Sequence, residues 1–267
     1  IRWGKWVVNE LKIDGFRMDA VKHINDEFMA EFLTRIREAY GEDFYSVGEY
    51  WRNDLGKLKE YLNDVGYETD LFDVGLHFNM FEASKNRKDY DLRRIFDNTI
   101  ITASSLEAVT FVDNHDSQRG SALESQIEDW FVPHAYALIL LAKDGYPCLF
   151  YGNYYGVGGE KSPHQWIIDK LLEVRKNNAY GDQINYFDNP NVVAIHRTGK
   201  DEWTGCVAVL SNADYDSEIQ VEVGRERAGQ IWQEVTGSGF EDVVINEEGK
   251  GVFRVKAEKI AVWVRKN

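Results

Sequence analysis

Three carboxylic acids stand where apolar runs of the chain end. Asp19 lies in "GFRMDA", Glu49 in "SVGEYW" and Asp116 closes "FVDNHD". Two carboxyl groups facing one gap can cleave a glycosidic bond: one gives a proton to the leaving oxygen, and the other, ionised, attacks or steadies an oxocarbenium-like transition state. Arg17 precedes Asp19 by two residues, and side chains two apart on a strand share a face. The run reads as a buried strand with Phe16, Met18 and Ala20 on one side and two charges on the other. A guanidinium beside Asp19 favours the ionised form, as a nucleophile requires. Glu49 is flanked by Val47, Tyr50 and Trp51, apolar surroundings suited to a proton donor. Each piece also has a plain structural reading. Arg17 and Asp19 could form an ion pair only, Glu49 could be a solvated strand end, and Asp116 or Ser117 could cap a helix. The three acids together, in order and at strand ends, favour catalysis.

Those acids need elements to position them. Between residues 14 and about 178, strand-like runs alternate with helical patterns. The strands are read at 15–21, 44–50, 70–76, 108–114 and 147–152, and the helices at 26–40, 54–64, 90–98, 133–145 and 164–178. Such alternation predicts parallel pairing with helical crossovers. In a parallel αβ barrel the strand ends assemble the active site, so the steps of 30 and 67 residues between the acids let all three converge. After residue 180 short strands follow one another between Gly, Asn and Asp turns, which predicts an antiparallel sandwich. The expected domains are 1–180 and 181–267. The opening "IRWGKWVVNELK" reads as the latter part of an amphipathic helix with Trp3, Trp6, Val7 and Leu11 on one side. That predicts a parent protein extending upstream.

Composition narrows the partners. The chain has 267 residues, 43% of them hydrophobic, enough for a sizeable core. A net charge of −14 repels nucleic acid and anionic membrane, so a neutral or small-molecule partner is expected. Eight Trp and 14 Tyr supply flat rings of the kind that hold sugars. No apolar run reaches membrane length. Cys148 and Cys206 are expected as buried free thiols, and the histidines show no metal-site spacing. "GVGGEKS" (156–162) approximates a phosphate loop, but Glu160 would face the phosphates, so a surface loop is expected.

"GFRMDAVKH", "VGEYW" and "FVDNHD" resemble three successive signature regions of the α-amylase family of glycoside hydrolases, and the likeness continues through "FDVGLHFNMFEAS", "WFVPHAYALIL" and "GYPCLFYGNYYG". The resemblance implies Asp19 as nucleophile, Glu49 as general acid/base and Asp116 as the third acid, which binds sugar hydroxyls. It implies substrate binding by Arg17, Lys22, His23, Trp51 and His115, with Trp51 stacking on a sugar; on the chemistry of the residue alone, a core tryptophan is nearly as good a reading. The implied fold is α/β: a partial (β/α)8 barrel, strands four to eight, followed by a C-terminal antiparallel β-sandwich. The implied activity is retaining endo-hydrolysis of α-1,4-glucosidic bonds by a monomeric parent; with only five strands to hold the acids, the fragment alone is expected to have little or no activity. Alternatives are a glucan-transferring relative and a non-catalytic glucan-binding fragment. A structural calcium is implied near the backbone carbonyl of His23, with its carboxylate ligands outside this chain. A second calcium site is doubtful, because "FDNPNVV" (187–193) carries Asn where an acid is expected. That stretch, "PCLFYG" and "TGCVAVLSN" resemble the cytoplasmic relatives more than the secreted ones, an expectation that leans to the cytoplasm and leaves location open.

Overall fold

The computed structural model describes residues 1–266, which divide into two compact units. The first comprises residues Ile1–Phe78, Phe96–Phe111 and Asp144–Tyr146; the second comprises Asn79–Ile95, Val112–Lys143 and the described residues from Pro147 onward.

In the first unit, helix α1 (Arg2–Leu11) leads to strand β1 (Gly15–Met18), and α2 (Asp26–Tyr40) to β2 (Tyr45–Gly48). Helix α3 (Leu55–Asp64) precedes β3 (Asp70–Phe72), and α4 (Val74–Asn86) begins two residues later. A short α5 (Ile100–Ala103) precedes β4 (Ala108–Phe111). Neighbouring strands from β1 to β4 pair in parallel, and β5 (Tyr146–Cys148) follows β4 in the sheet order. This is the βα alternation expected from the sequence. Asn25 caps α2 by accepting from the Phe28 N–H at 2.8 Å, and Asp54 caps α3 at the Lys57 N–H.

Several boundaries move for identifiable reasons. The first strand stops at Met18, and Ala20 takes a left-handed conformation (φ 48°), so Asp19 lies past the strand end. The charges are not buried as expected: the side chains of Arg17 and Asp19 are 33% and 74% exposed. The run 70–76 is not one strand. Asp73 ends it by accepting from the N–H groups of Leu76 and Ile101 at 3.1 and 2.8 Å, which starts α4. The helix expected at 90–98 is a single turn, Leu92–Arg94, begun by Asp91. In α1 the inward positions are Gly4 and Val8, while Trp3, Trp6 and Leu11 are exposed.

In the second unit, α6 (Val132–Leu141) is buried on every side except at Pro133. It packs on α8 (Gln165–Asn177), which follows the short α7 (Tyr151–Tyr155) and a two-stranded ribbon, β6 (Gly156–Val157) and β7 (Glu160–Lys161). The expected surface loop is this ribbon. Gly158 and Gly159 both have positive φ, as a tight hairpin turn requires, and Glu160 is exposed. The remaining strands are β8 (Gln183–Tyr186), β9 (Val192–Arg197), β10 (Cys206–Ser211), β11 (Ser217–Glu222), β12 (Ile231–Glu234), β13 (Val243–Val244), β14 (Lys250–Val255) and β15 (Ile260–Arg265). All pair antiparallel, in a six-stranded sheet ordered β13-β12-β15-β10-β9-β8 and a β11–β14 pair.

One core joins both sheets, with Trp232, Phe253 and Trp263 at its centre. Strands β9 and β10 are buried on both faces, because α6 also packs on this sheet and the His134 ring bonds the Ser211 carbonyl at 3.0 Å. Both cysteines are free. Cys206 is buried, its thiol pushed up to about 12 by burial, whereas Cys148 is exposed, contrary to expectation.

Candidate active site

Parallel pairing places the ends of β1 and β2 side by side. Arg17 lies opposite Val47 and Met18 opposite Gly48. The ladder continues past both strands: the Glu49 N–H donates to the Met18 carbonyl at 2.8 Å, and the Val21 N–H to the Glu49 carbonyl at 3.0 Å. Asp19 and Glu49 therefore leave the sheet at the same level. The Arg17 guanidinium ion-pairs with Asp19 and lies 3.8 Å from Glu49 Oε2, so one cation contacts both carboxylates. Glu49 Oε2 also accepts from the Ala20 N–H at 2.9 Å. The left-handed turn at Ala20 aims that N–H at the carboxylate. The Glu49 side chain is 7% exposed and that of Asp19 is 74% exposed: one acid is shielded and the other open to a ligand.

Lys22 donates from Nζ to the Trp51 carbonyl at 3.1 Å, tying the turn after β1 to the segment after β2. Lys22 and His23 are exposed. Trp51 departs from expectation. Its ring is only 9% exposed and packs against His77, Phe78 and Phe111, which leaves little face for a sugar. Its place is a small core cluster with Val74 and Phe111.

His115 and Asp116 belong to the second unit, where His115 Nε2 lies 3.2 Å from Asp116 Oδ2. Their loop is ordered by residues that sequence reasoning passed over. Asn114 Oδ1 accepts from the N–H groups of Asp116 and Ser117 at 2.9 and 2.7 Å. Beneath it, buried Asp113 accepts from the Ile127 N–H and from Asn153 Nδ2, both at 3.1 Å, and Tyr136 donates to Asn153 Oδ1 at 3.0 Å. The only sequence signal was the Asx spacing of "DNHDS".

Burial raises the Asp113 carboxyl to about 6, above its ordinary value of 3.8. The folded state thus holds more protons than the unfolded chain between about pH 4 and pH 6. The contribution of this carboxyl is fully present below that window and lost as pH rises through it. Urea unfolding of wild type and Asp113→Asn should show the wild-type advantage shrinking by on the order of 2 kcal/mol from pH 4 to pH 6.5, then levelling. A pH-independent difference would contradict the assigned environment.

Among the described residues, no group of three or more His, Cys, Asp or Glu side chains is placed to hold a metal ion. The side chains near His23 do not by themselves fit a calcium cage. No described helix is long and apolar enough to cross a membrane.

Comparison with known proteins agrees with the geometry. The family described as alpha amylase, catalytic domain, matches residues 2–250. A glucan 1,4-alpha-maltohexaosidase of Bacillus sp. (strain 707) is 42% identical over 99% of this chain and 51% of its own length. The alpha-amylase of Bacillus licheniformis is 41% identical, over 99% of this chain and 53% of its own. The cytoplasmic alpha-amylase of Escherichia coli (strain K12) is 39% identical, over 98% and 55%. The chain thus spans about half the length of these relatives. Among solved structures, the acarbose complex of the alpha-amylase from Geobacillus thermoleovorans superposes with a TM-score of 0.75 at 20% identity, over 98% of this chain and 62% of that one. That likeness concerns the fold. With the acids at strand ends and a family match over nearly its whole length, the chain belongs to the alpha-amylase family.

Proposed function

We propose that this chain carries the acids of a retaining α-amylase that cleaves internal α-1,4-glucosidic bonds. The observation that carries the reading is the guanidinium of Arg17 contacting the carboxylates of both Asp19 and Glu49 at the ends of adjacent parallel strands. In this scheme Glu49 gives its proton to the leaving glycosidic oxygen while the Asp19 carboxylate bonds to the anomeric carbon. Glu49 then takes a proton from water, whose oxygen bonds to the anomeric carbon on the face opposite Asp19, the face the leaving group vacated, and the Asp19 carboxylate is released. Two inversions give retention. Arg17 orients Asp19, and Asp116 with His115 is assigned to sugar hydroxyls. Lys22 and His23 are assigned to the leaving-group side.

The same reading makes the five strands the fourth to eighth of a (β/α)8 barrel, with residues 1–180 as its C-terminal portion and 181–267 as the sandwich domain. The implied calcium would take the His23 carbonyl and carboxylates from elsewhere in the parent. A monomeric parent is the accompanying proposal; for location the reading only leans to the cytoplasm, as for the Escherichia coli relative. Proton NMR of the parent cleaving maltooligosaccharides should show the α-anomer first. Early β-anomer would overturn the mechanism. Starch with added glucose separates the runner-up, because a transferring enzyme lengthens the acceptor instead of releasing reducing ends.

The 267-residue chain alone is expected to turn over starch slowly or not at all. Strand β1, which holds Arg17 and leads to Asp19, is at one end of the sheet order and has a hydrogen-bonded neighbour on one side only. Catalytic groups need placement to within about 0.5 Å, which a strand supported from one side does not secure. Robust turnover by the purified chain, abolished by Glu49→Gln, would refute this.

A further inference from the structure

The chain is acidic, yet four of its cations converge on one cavity of the second unit. Lys143 follows α6, Arg175 and Lys176 lie in the last turn of α8, and Arg197 closes β9. With Tyr180 they line a cavity of about 500 Å3. Among the described residues no Asp or Glu lines it, although the net charge is −14. We propose that this cavity is an anion site that takes a phosphate group, free or as a small organic monoester. The site shares no residue with the candidate active site, and the inference does not depend on the proposed function.

Three observations carry it. First, the charges come together from three separate elements, so they are not a local run. Like charges held around one cavity repel, and a bound anion relieves that repulsion. Part of the cluster has a structural use at the end of α6, where Arg175 donates to the Leu140 carbonyl at 2.6 Å and Arg197 to the Leu141 carbonyl at 3.0 Å. Capping two carbonyls does not call for two further lysines. Second, a guanidinium is fixed in advance. Arg197 is only 6% exposed and also donates to the Gly181 carbonyl at 3.0 Å. Those carbonyls are neutral, so they orient the group and leave its charge in place. Arginine offers a fork of N–H groups that matches phosphate oxygens, and lysine adds a mobile point charge. Third, one carboxylate already registers the field. Asp182 pairs with Lys143 at 2.7 Å, and Lys143, with a smaller effect from Arg197, holds its carboxyl below the ordinary value. That pair is water-screened, with Asp182 80% exposed, and so can yield to a dianion. The volume is within the range of small-molecule pockets, larger than a bare ion requires. The Tyr180 ring, stacked on Trp203 at 4.6 Å, supplies an apolar wall for the organic part of a monoester.

Equilibrium dialysis of the 267-residue chain at low ionic strength, against radiolabelled inorganic phosphate and radiolabelled glucose 6-phosphate, tests the site. Binding should saturate at a single site. Lys143→Ala combined with Lys176→Ala removes two exposed ammonium groups and should weaken it at least about ten-fold. Lys59→Ala combined with Lys161→Ala removes the same charge from exposed positions elsewhere and should leave binding unchanged. Tighter binding of glucose 6-phosphate supports the site with a monoester as its occupant; equal affinities support it with free phosphate. Absence of saturable binding overturns the proposal. So does binding undiminished by the Lys143 and Lys176 substitutions, or weakened equally by the control pair.

Discussion

Asp19→Asn in the full-length parent is expected to lower kcat by about four orders of magnitude or more while leaving the fold intact. An amide does not bond to an anomeric carbon, so the first displacement has no nucleophile. The fold should tolerate the change because Asp19 is 74% exposed and its recorded side-chain partner is Arg17. Exposed substitutions of this kind usually shift stability by no more than about 0.5 kcal/mol. Two measurements check it. Thermal unfolding should be nearly superimposable with wild type, and a fluorinated glycosyl substrate that labels the wild-type enzyme covalently should leave the variant unlabelled. Near-normal turnover would sink the assignment.

The second large effect concerns Glu49. Glu49→Gln keeps an oxygen for the Ala20 N–H and keeps the shape of the shielded side chain, but it cannot give or take the proton. The loss on starch should be about 10²–10⁴-fold in kcat. Its diagnostic is the leaving group. A glucosyl fluoride departs without protonation, so the first step should be far less impaired there than on a natural glycosidic bond. An equal loss on both substrates would mean that Glu49 holds the site together without serving as its acid.

How much of this was legible in the sequence follows from where each interaction partner lies. The α2 helix was read at its observed bounds because its signals are local: Asn25 as cap and an apolar stripe through Met29, Phe32, Leu33 and Ile36. The late strands were legible for the same reason, alternating between turns. Run 70–76 was misread because Leu71, Val74 and Leu76 are all apolar, while the residue that splits them, Asp73, is stabilised by the Ile101 N–H 28 residues away. Asp113 was taken for an ordinary strand residue. Its partners, Ile127 and Asn153, are 14 and 40 residues distant, and no local pattern announces them. The acids of the candidate site stood out because their strand-end spacing is a sequence property. The burial of Trp51 did not, since its neighbours His77 and Phe111 come from other elements.

Helix α6, enclosed by α8 on one side and the six-stranded sheet on another, has a further consequence. Its amide hydrogens can meet solvent only when those layers separate, which amounts to unfolding the whole unit. They should therefore be among the last to exchange for deuterium, and their rate is a clock for global opening. Strand β1 is different: an edge with one hydrogen-bonded neighbour frays by breaking a single ladder and the contacts of Phe16 with Phe32 and Phe44. The proposed nucleophile thus hangs from a low-protection segment, while the greatest persistence is stored in a helix that carries none of the three acids. Substitutions that thicken the packing around α6 would lengthen the life of the fold without steadying Asp19.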